Sequence, residues 1–306
     1  MRILVVCLNP TIQRTFVVPS FRVGEVNRSR TQRTDASGKG VNVARVLAQL
    51  GAEVTHLTQI GGRDHDLFRS LAEADGMHLD LVETDIEIRL ANTIIDEERR
   101  SSTELVEEGR EVPADVEGRI RARFLSHLPG LDGLVISGSK AAGFSAGLFP
   151  WMVGEARRHH ATVLVDYRGQ DLLGSLSQAP HYVKINAAEF VATFLPERVP
   201  NGEVAEHGVN GGLLEAVRAK MLELYQTYGI VPILTRGAHP TLYLEGGEVR
   251  EEHPIDITPV NTIGSGDAFA AGFVYRALRG SALLEALRFG HECAARNAQI
   301  LKPGSL

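Results

Sequence analysis

Asn261-Thr262-Ile263-Gly264-Ser265-Gly266-Asp267 runs straight into the small-residue segment Ala268 to Phe273, and this junction reads as a glycine turn entering a helix. A helix start exposes unpaired backbone N–H groups and the positive end of the peptide dipoles. Gly264, Ser265 and Gly266 lack the bulk that would keep an anion away, so the run predicts an anion hole. Asp267, in the first helical turn, is then placed to accept the proton of a hydroxyl attacking a phosphoryl group held there. The plainer reading of the same residues is an Asp-capped helix after a tight turn.

Working outward, short apolar runs alternate with helical periodicity. Arg2 to Leu8, Val54 to Leu57, Gly133 to Ile136, Thr162 to Val165, Tyr182 to Ile185 and Ile230 to Leu234 read as strands. Val43, Val46, Leu47 and Leu50 mark one helical face, and Leu213, Val217, Met221 and Leu224 another. This alternation predicts an α/β fold, a mostly parallel sheet with helices on both sides, with ligands bound beyond the carboxyl ends of its strands. Two segments, about 11–37 and 87–106, lack a helical period and are rich in Thr, Val, Ile and Arg. They are expected to form antiparallel strands of a small β-lid, or else ordinary core hairpins. An exposed lid leaves edges and one apolar face uncovered, which pairing with a second copy would relieve, so a homodimer is expected. Gly246-Gly247 within Tyr243 to Val249 reads as a hairpin turn.

The composition narrows the function classes. A chain of 306 residues, 43% hydrophobic, can bury a large single core, so residues 1–306 are read as one domain carrying the lid. A formal charge of -6 argues against nucleic acid or an anionic membrane as the main partner, so any anionic ligand must be met by local cations. No apolar run approaches the length of a membrane span. The two cysteines, Cys7 and Cys293, lie in a strand and a helix and read as reduced buried thiols, which suits a cytoplasmic protein.

Further motifs lie at strand-to-helix junctions. In Ser37-Gly38-Lys39-Gly40-Val41-Asn42 the glycines let the backbone approach an anion while Lys39 adds charge at a helix start. Lys184-Ile185-Asn186-Ala187-Ala188-Glu189 sets Asn186 and Glu189 on one helical face. Glu189 there suits water around a magnesium ion, and the pair equally suits a capping box. Thr235-Arg236-Gly237 follows another strand and is placed to cover nucleotide phosphates, or simply to turn the chain. Arg89, on a lid strand, is a candidate for an anionic substrate or a solvated arginine.

Other signals fail. The Walker spacing is absent, Phe269 occupies the third glycine position of a dinucleotide fingerprint, and Ala295 stands where a zinc-protease helix after His291-Glu292 needs its second histidine.

Asn9-Pro10, Gly38-Lys39-Gly40-x-Asn42-Val43-Ala44-Arg45, Gly61-Gly62, Arg89, Thr103-Glu104, Ser137-Gly138-Ser139, Lys184-x-Asn186-x-x-Glu189 and Gly264-Ser265-Gly266-Asp267 follow one another in the order seen in the phosphofructokinase B family. Nearly the whole chain resembles the branch of the ribokinase superfamily that contains 1-phosphofructokinase and tagatose-6-phosphate kinase. The resemblance implies a ribokinase-like three-layer α/β/α core with a small β-sheet lid, and ATP-dependent, magnesium-requiring transfer of the γ-phosphoryl group to a phosphorylated ketose of the fructose 1-phosphate or tagatose 6-phosphate type. Two alternatives stand beside it: a kinase of an unphosphorylated sugar or nucleoside, and a catalytically weakened sugar-phosphate-binding regulatory protein. By resemblance Asp267 is the general base and Gly264, Ser265 and Gly266 the anion hole. Gly38, Lys39, Asn42 and Arg89, with Arg28 from the lid, hold the sugar phosphate. Lys184, Asn186, Glu189, Thr235, Arg236 and Gly237 line the ATP side, with Glu189 reaching magnesium through water. One departure bears on specificity: Gln13 stands where the family pattern has an aspartate that binds sugar hydroxyls, and an amide both donates and accepts where a carboxylate only accepts.

Overall fold

The structure is a computed structural model that describes residues 1–199 and 209–306. The parallel strands expected from the apolar runs all form. They are β1 (Arg2–Cys7), β4 (Glu53–Gly61), β8 (Gly133–Ser137), β9 (Thr162–Asp166), β10 (Tyr182–Asn186) and β11 (Val231–Arg236), joined at one edge by β5 (His78–Thr84), which the sequence reading did not single out. The hairpin β12 (His239–Glu245) and β13 (Glu248–Glu252) adds two antiparallel strands, turning at Gly246 and Gly247, both at positive φ. The order is β13-β12-β11-β10-β9-β8-β1-β4-β5. Between β8 and β1 the chain order reverses, and such a reversal opens a crevice at the carboxyl ends of the strands.

Two apolar layers cover this sheet. Along β1, Leu4 and Val6 point into one cluster with Val116, Ile120 and Phe124 of α3 (Ala114–His127) and Phe149, Met152 and Val153 of α4 (Leu148–Arg158). Ile3, Val5 and Cys7 point into the other, with α1 (Lys39–Gln49), α8 (Ser265–Ala277) and α9 (Leu283–Ala298). The alternation is the period-two pleat of a strand buried on both faces. Both cysteines are free and buried, and burial pushes each thiol above its usual value. No helix of the described residues is long and apolar enough to cross a membrane.

The four-stranded second sheet, β3-β2-β6-β7, is built from Thr11–Val18 (β2), Thr31–Ser37 (β3), Arg89–Asp96 (β6) and Ser101–Val106 (β7), all within the two segments set apart in the sequence. Its expected all-antiparallel pairing is corrected: β2 and β6 run parallel in register from Thr11–Arg89 to Val18–Asp96. Both strands enter the lid from the core, β2 after β1 and β6 after β5, so they point the same way. A parallel pair requires such a crossover.

Candidate active site

At the entry to α8, Gly264 adopts φ 81, and an added Cβ would sit 2.3 Å from the Gly304 nitrogen, so only glycine fits this turn. The Ser265 amide bonds back to the Thr262 carbonyl at 3.2 Å. The amides of Gly264 and Gly266 have no backbone carbonyl partner among the described residues, and the buried Ser265 hydroxyl is likewise unpaired. The expected anion hole is thus two open amides and a hydroxyl, rather than all three amides. A Cβ on Gly266 would meet Lys184 Nζ at 3.1 Å, so that glycine keeps room for an ammonium beside the hole.

Asp267 follows, buried, its Oδ2 accepting from Asn42 Nδ2 at 2.8 Å across 225 residues of sequence. Burial pushes its carboxyl up to about 6, and nearby Asp166 adds to this, while Lys184, Lys39 and Asn42 pull the other way. A carboxylate poised near neutrality is what general base work needs.

Asp166, at the end of β9, is fully buried and was missed in the sequence. Burial opposes its charge, but Lys184 Nζ at 2.8 Å and Lys39 Nζ at 3.4 Å hold it ionised below the usual carboxylate value. The signal that could have found it is an aspartate closing an apolar strand at the ligand-binding edge.

Lys39 donates to Glu189 Oε1 at 2.9 Å as well. Burial disfavours its charge, and Asp166, Glu189 and Asp267 together outweigh that and hold it protonated well above the ordinary lysine value. The expected pairing of Lys39 with Arg89 around one sugar phosphate does not appear: the ammonium is committed to the acidic group on the Glu189 side. Its flanking glycines also serve another purpose. A Cβ on Gly40 would lie 2.6 Å from Cys7 Cβ and 3.2 Å from the Ser137 carbonyl, and Gly38 lies at φ 122 against Cys7. They let α1 pack on β1 and β8.

Both readings of Asn186 and Glu189 hold together. The capping box of α6 (Ala187–Phe194) is complete, with Glu189 N donating to Asn186 Oδ1 at 2.7 Å, and Glu189 still reaches Lys39. Thr235 sits opposite Asn186 in register on β11. Arg236, by contrast, is turned inward: it is buried and donates to the Val209 and Pro240 carbonyls at 2.9 and 3.4 Å, so it ties the chain together. Gly237 makes the turn at φ 60.

On the lid side, Arg89 Nη2 donates to the Asn9 carbonyl at 3.1 Å, leaving Nε buried without a partner. Gln13 is only 3% exposed; its Nε2 donates to Thr93 Oγ1 at 2.5 Å and to Glu104 Oε1 at 3.5 Å, and its Oε1 accepts from Ser37 Oγ at 2.9 Å. Arg28 lies exposed on the loop between β2 and β3, not drawn into this group. A cavity of about 820 Å³ opens beside Gly61, Gly62 and Arg63 and includes none of the residues around Asp267.

The acidic group bears on magnesium. Asp166, Glu189 and Asp267 crowd about two lysines, yet no described His, Cys, Asp or Glu residues are spaced as a direct ligand set. Carboxylates near but not closing on one point fit an ion that keeps its waters.

Residues 2–304 match the family described as pfkB family carbohydrate kinase. A 1-phosphofructokinase of Rhodobacter capsulatus is 31% identical over 94% of this chain and 87% of its own length. Among solved structures, a possible 1-phosphofructokinase of Thermotoga maritima superposes with a TM-score of 0.86 at 23% identity, covering 99% of this chain and 93% of that one. The tetrameric inhibited form of phosphofructokinase-2 from Escherichia coli gives 0.82 at 20% identity, covering 97% and 94%. With a buried aspartate at an open helix start, a ribokinase-like fold and a family match over residues 2–304, the chain belongs to the pfkB family of carbohydrate kinases.

Proposed function

We propose that this carbohydrate kinase moves the γ-phosphoryl group of ATP to a free hydroxymethyl group of a ketose phosphate, with fructose 1-phosphate as the leading substrate. The observation that carries the reading is Asp267, raised to about 6 beside the open amides of Gly264 and Gly266. Asp267 takes the proton of the attacking hydroxyl, Asn42 fixes which carboxyl oxygen faces it, and the amides with Lys184 meet the charge that develops on the transferred group. A magnesium ion held through water by Glu189 and Asp166 would screen the phosphates when bound. A substrate already bearing a phosphate is supported by the unpartnered Arg89 Nε, and fructose 1-phosphate by the name of the 31% identical relative.

The test is ATP turnover across fructose 1-phosphate, fructose 6-phosphate, tagatose 6-phosphate, fructose and a nucleoside. Fructose 1-phosphate should be fastest, and removing its phosphate should lower kcat as well as raise KM, because remote binding energy aligns the hydroxyl. Equal rates on fructose and its phosphates would remove the substrate assignment, and ligand-induced thermal shifts with no transfer would point to a sensor.

The same reading includes a homodimer through the outer lid face, which carries Phe16 opposite Ile94 and, diagonal to them, Leu105 at 59% exposure. Leu105→Lys should shift sedimentation from dimer to monomer at micromolar concentration. An unchanged sedimentation coefficient would move the interface elsewhere.

A further inference from the structure

Glu104 stands apart from the other acidic groups on the lid strands, Asp35 and Asp96. Asp35 is held by Arg33 at 2.6 Å, Glu97 by Arg30 at 3.2 Å, and Asp96 by the Phe21 and Arg99 amides. Glu104 has no cation within 4 Å among the described residues. Its Oε1 is fixed by the Gln13 amide and the Thr93 hydroxyl, each at 3.5 Å, and its Oε2 takes part in no hydrogen bond among those residues. Desolvation raises its carboxyl above the ordinary value against the pull of Thr93, Gln13 and Arg89, although the residue as a whole lies exposed on the lid strand, open to a ligand.

The face it covers is polar and incompletely satisfied. By strand register Gln13 and Thr15 of β2 share one face with Thr93 of β6 and Glu104 of β7, and the buried Thr15 hydroxyl has no partner. Such a hydroxyl costs stability unless something polar meets it. Gln13 itself is used up inside the sheet: both its donors and its carbonyl are engaged, and it is almost wholly buried. The open polar atom of the face is Glu104 Oε2, and Arg89 is near enough to favour its charge. An arginine with a spare buried N–H beside a carboxylate with a spare oxygen fits a ligand anionic at one end and rich in hydroxyl donors next to it. A carboxylate accepts from neutral O–H groups and repels a phosphate.

We propose that Glu104 is the specificity-determining residue that reads the sugar's hydroxyls through Oε2, and that Gln13 is a positioning residue that holds Oε1. The inference rests on the kinase reading above. It assigns position 13 a supporting amide and moves the sugar-reading carboxylate from β2 to β7.

Kinetics on the full-length enzyme test it. Glu104→Gln should raise KM for fructose 1-phosphate about tenfold or more, the loss of a charged hydrogen bond, with kcat changed less than about threefold and KM for ATP unmoved. The preference for fructose 1-phosphate over its C4 epimer, tagatose 1-phosphate, should narrow in the same variant. Gln13→Glu places two carboxyls together and should weaken sugar binding as well. The swap Gln13→Glu with Glu104→Gln separates the roles: it restores a donor–acceptor pair with the charge now buried on β2, so thermal stability should recover while KM stays high. A KM for Glu104→Gln within twofold of the parent, or a swap that restores KM, overturns the inference and leaves the kinase reading standing. A parent enzyme that transfers phosphate to no ketose phosphate takes both down.

Discussion

Asp267 keeps its proton to higher pH than an ordinary carboxylate because burial and Asp166 outweigh the two lysines. The base form is therefore lost as pH falls through about 6, so kcat/KM should show an acid limb near that value. Asp267→Asn should cut kcat by about a hundredfold or more while nucleotide still binds; near-parental turnover would remove Asp267 from the reaction. Lys39 lowers the carboxyl's pKa, so Lys39→Met should move the acid limb to higher pH and slow phosphorylated and unphosphorylated sugars alike. Arg89→Ala, in contrast, should penalise only the phosphorylated ones. An acid limb that stays in place in Lys39→Met would contradict the electrostatic coupling. The Gly264 to Asp267 motif was legible in sequence because its chemistry is local to one helix start. The true partners of Lys39 were not, since Asp166 lies 127 residues away and only the return of β9 beside β8 brings it near.

At the scale of elements, glycines that look alike in sequence divide by what their missing side chain makes room for. Gly40 sits against Cys7 and Ser137 where α1 crosses β1 and β8, so Gly40→Ala must push helix from sheet. Overpacking of that kind costs about 1–3 kcal/mol, visible as a lower urea midpoint at unchanged slope. Gly266 faces only the flexible end of Lys184, so Gly266→Ala should leave the midpoint within about 0.5 kcal/mol and lower kcat by crowding the open amides. The reverse pattern, a stable Gly40→Ala and an unfolded Gly266→Ala, would exchange their roles. The Gly38-Lys39-Gly40 pattern pointed to a helix start correctly, but not to why both glycines are required, because the surface they meet belongs to other strands. The lid was legible as two irregular segments for a related reason: their composition departs from the helical period, whereas the direction of β2 against β6 depends on where the core returns the chain.

The whole molecule closes on its own active site through Arg45, whose side chain is fully buried. Its Nη1 donates to Asn42 Oδ1 at 3.0 Å and to the Pro303 and Gly304 carbonyls at 3.1 and 3.3 Å, Nη2 donates to the Ala36 carbonyl, and Nε donates to Asp75 Oδ2 at 2.6 Å, where Lys302 also binds. A guanidinium can supply this many donors in one plane, and a lysine cannot. Because Arg45 occupies the carbonyl oxygen of Asn42, the amide nitrogen of that residue is the end left to face Asp267. Helix α1, lid strand β3, Asp75 and the segment at Pro303 thus meet at one cation, which no motif reading reveals since three of its five partners are backbone carbonyls. Arg45→Met removes the donor and leaves those buried carbonyls unpaired around an apolar chain, while Asp75 keeps Lys302, a loss of about 3–5 kcal/mol in unfolding free energy. It also removes the shorter of two hydrogen bonds to the Asn42 carbonyl oxygen, leaving only Ser37 Oγ at 3.3 Å, so the amide can turn. Asp267 then loses the hydrogen bond that favours its charged form, so the acid limb of kcat/KM should rise in the fraction that stays folded, and Arg45→Lys should fall between the two in both measurements. Chemical denaturation and the pH profile of the same samples decide it: a destabilised Arg45→Met whose acid limb stays near the parental value would make Arg45 a structural tie alone, without a hold on the base.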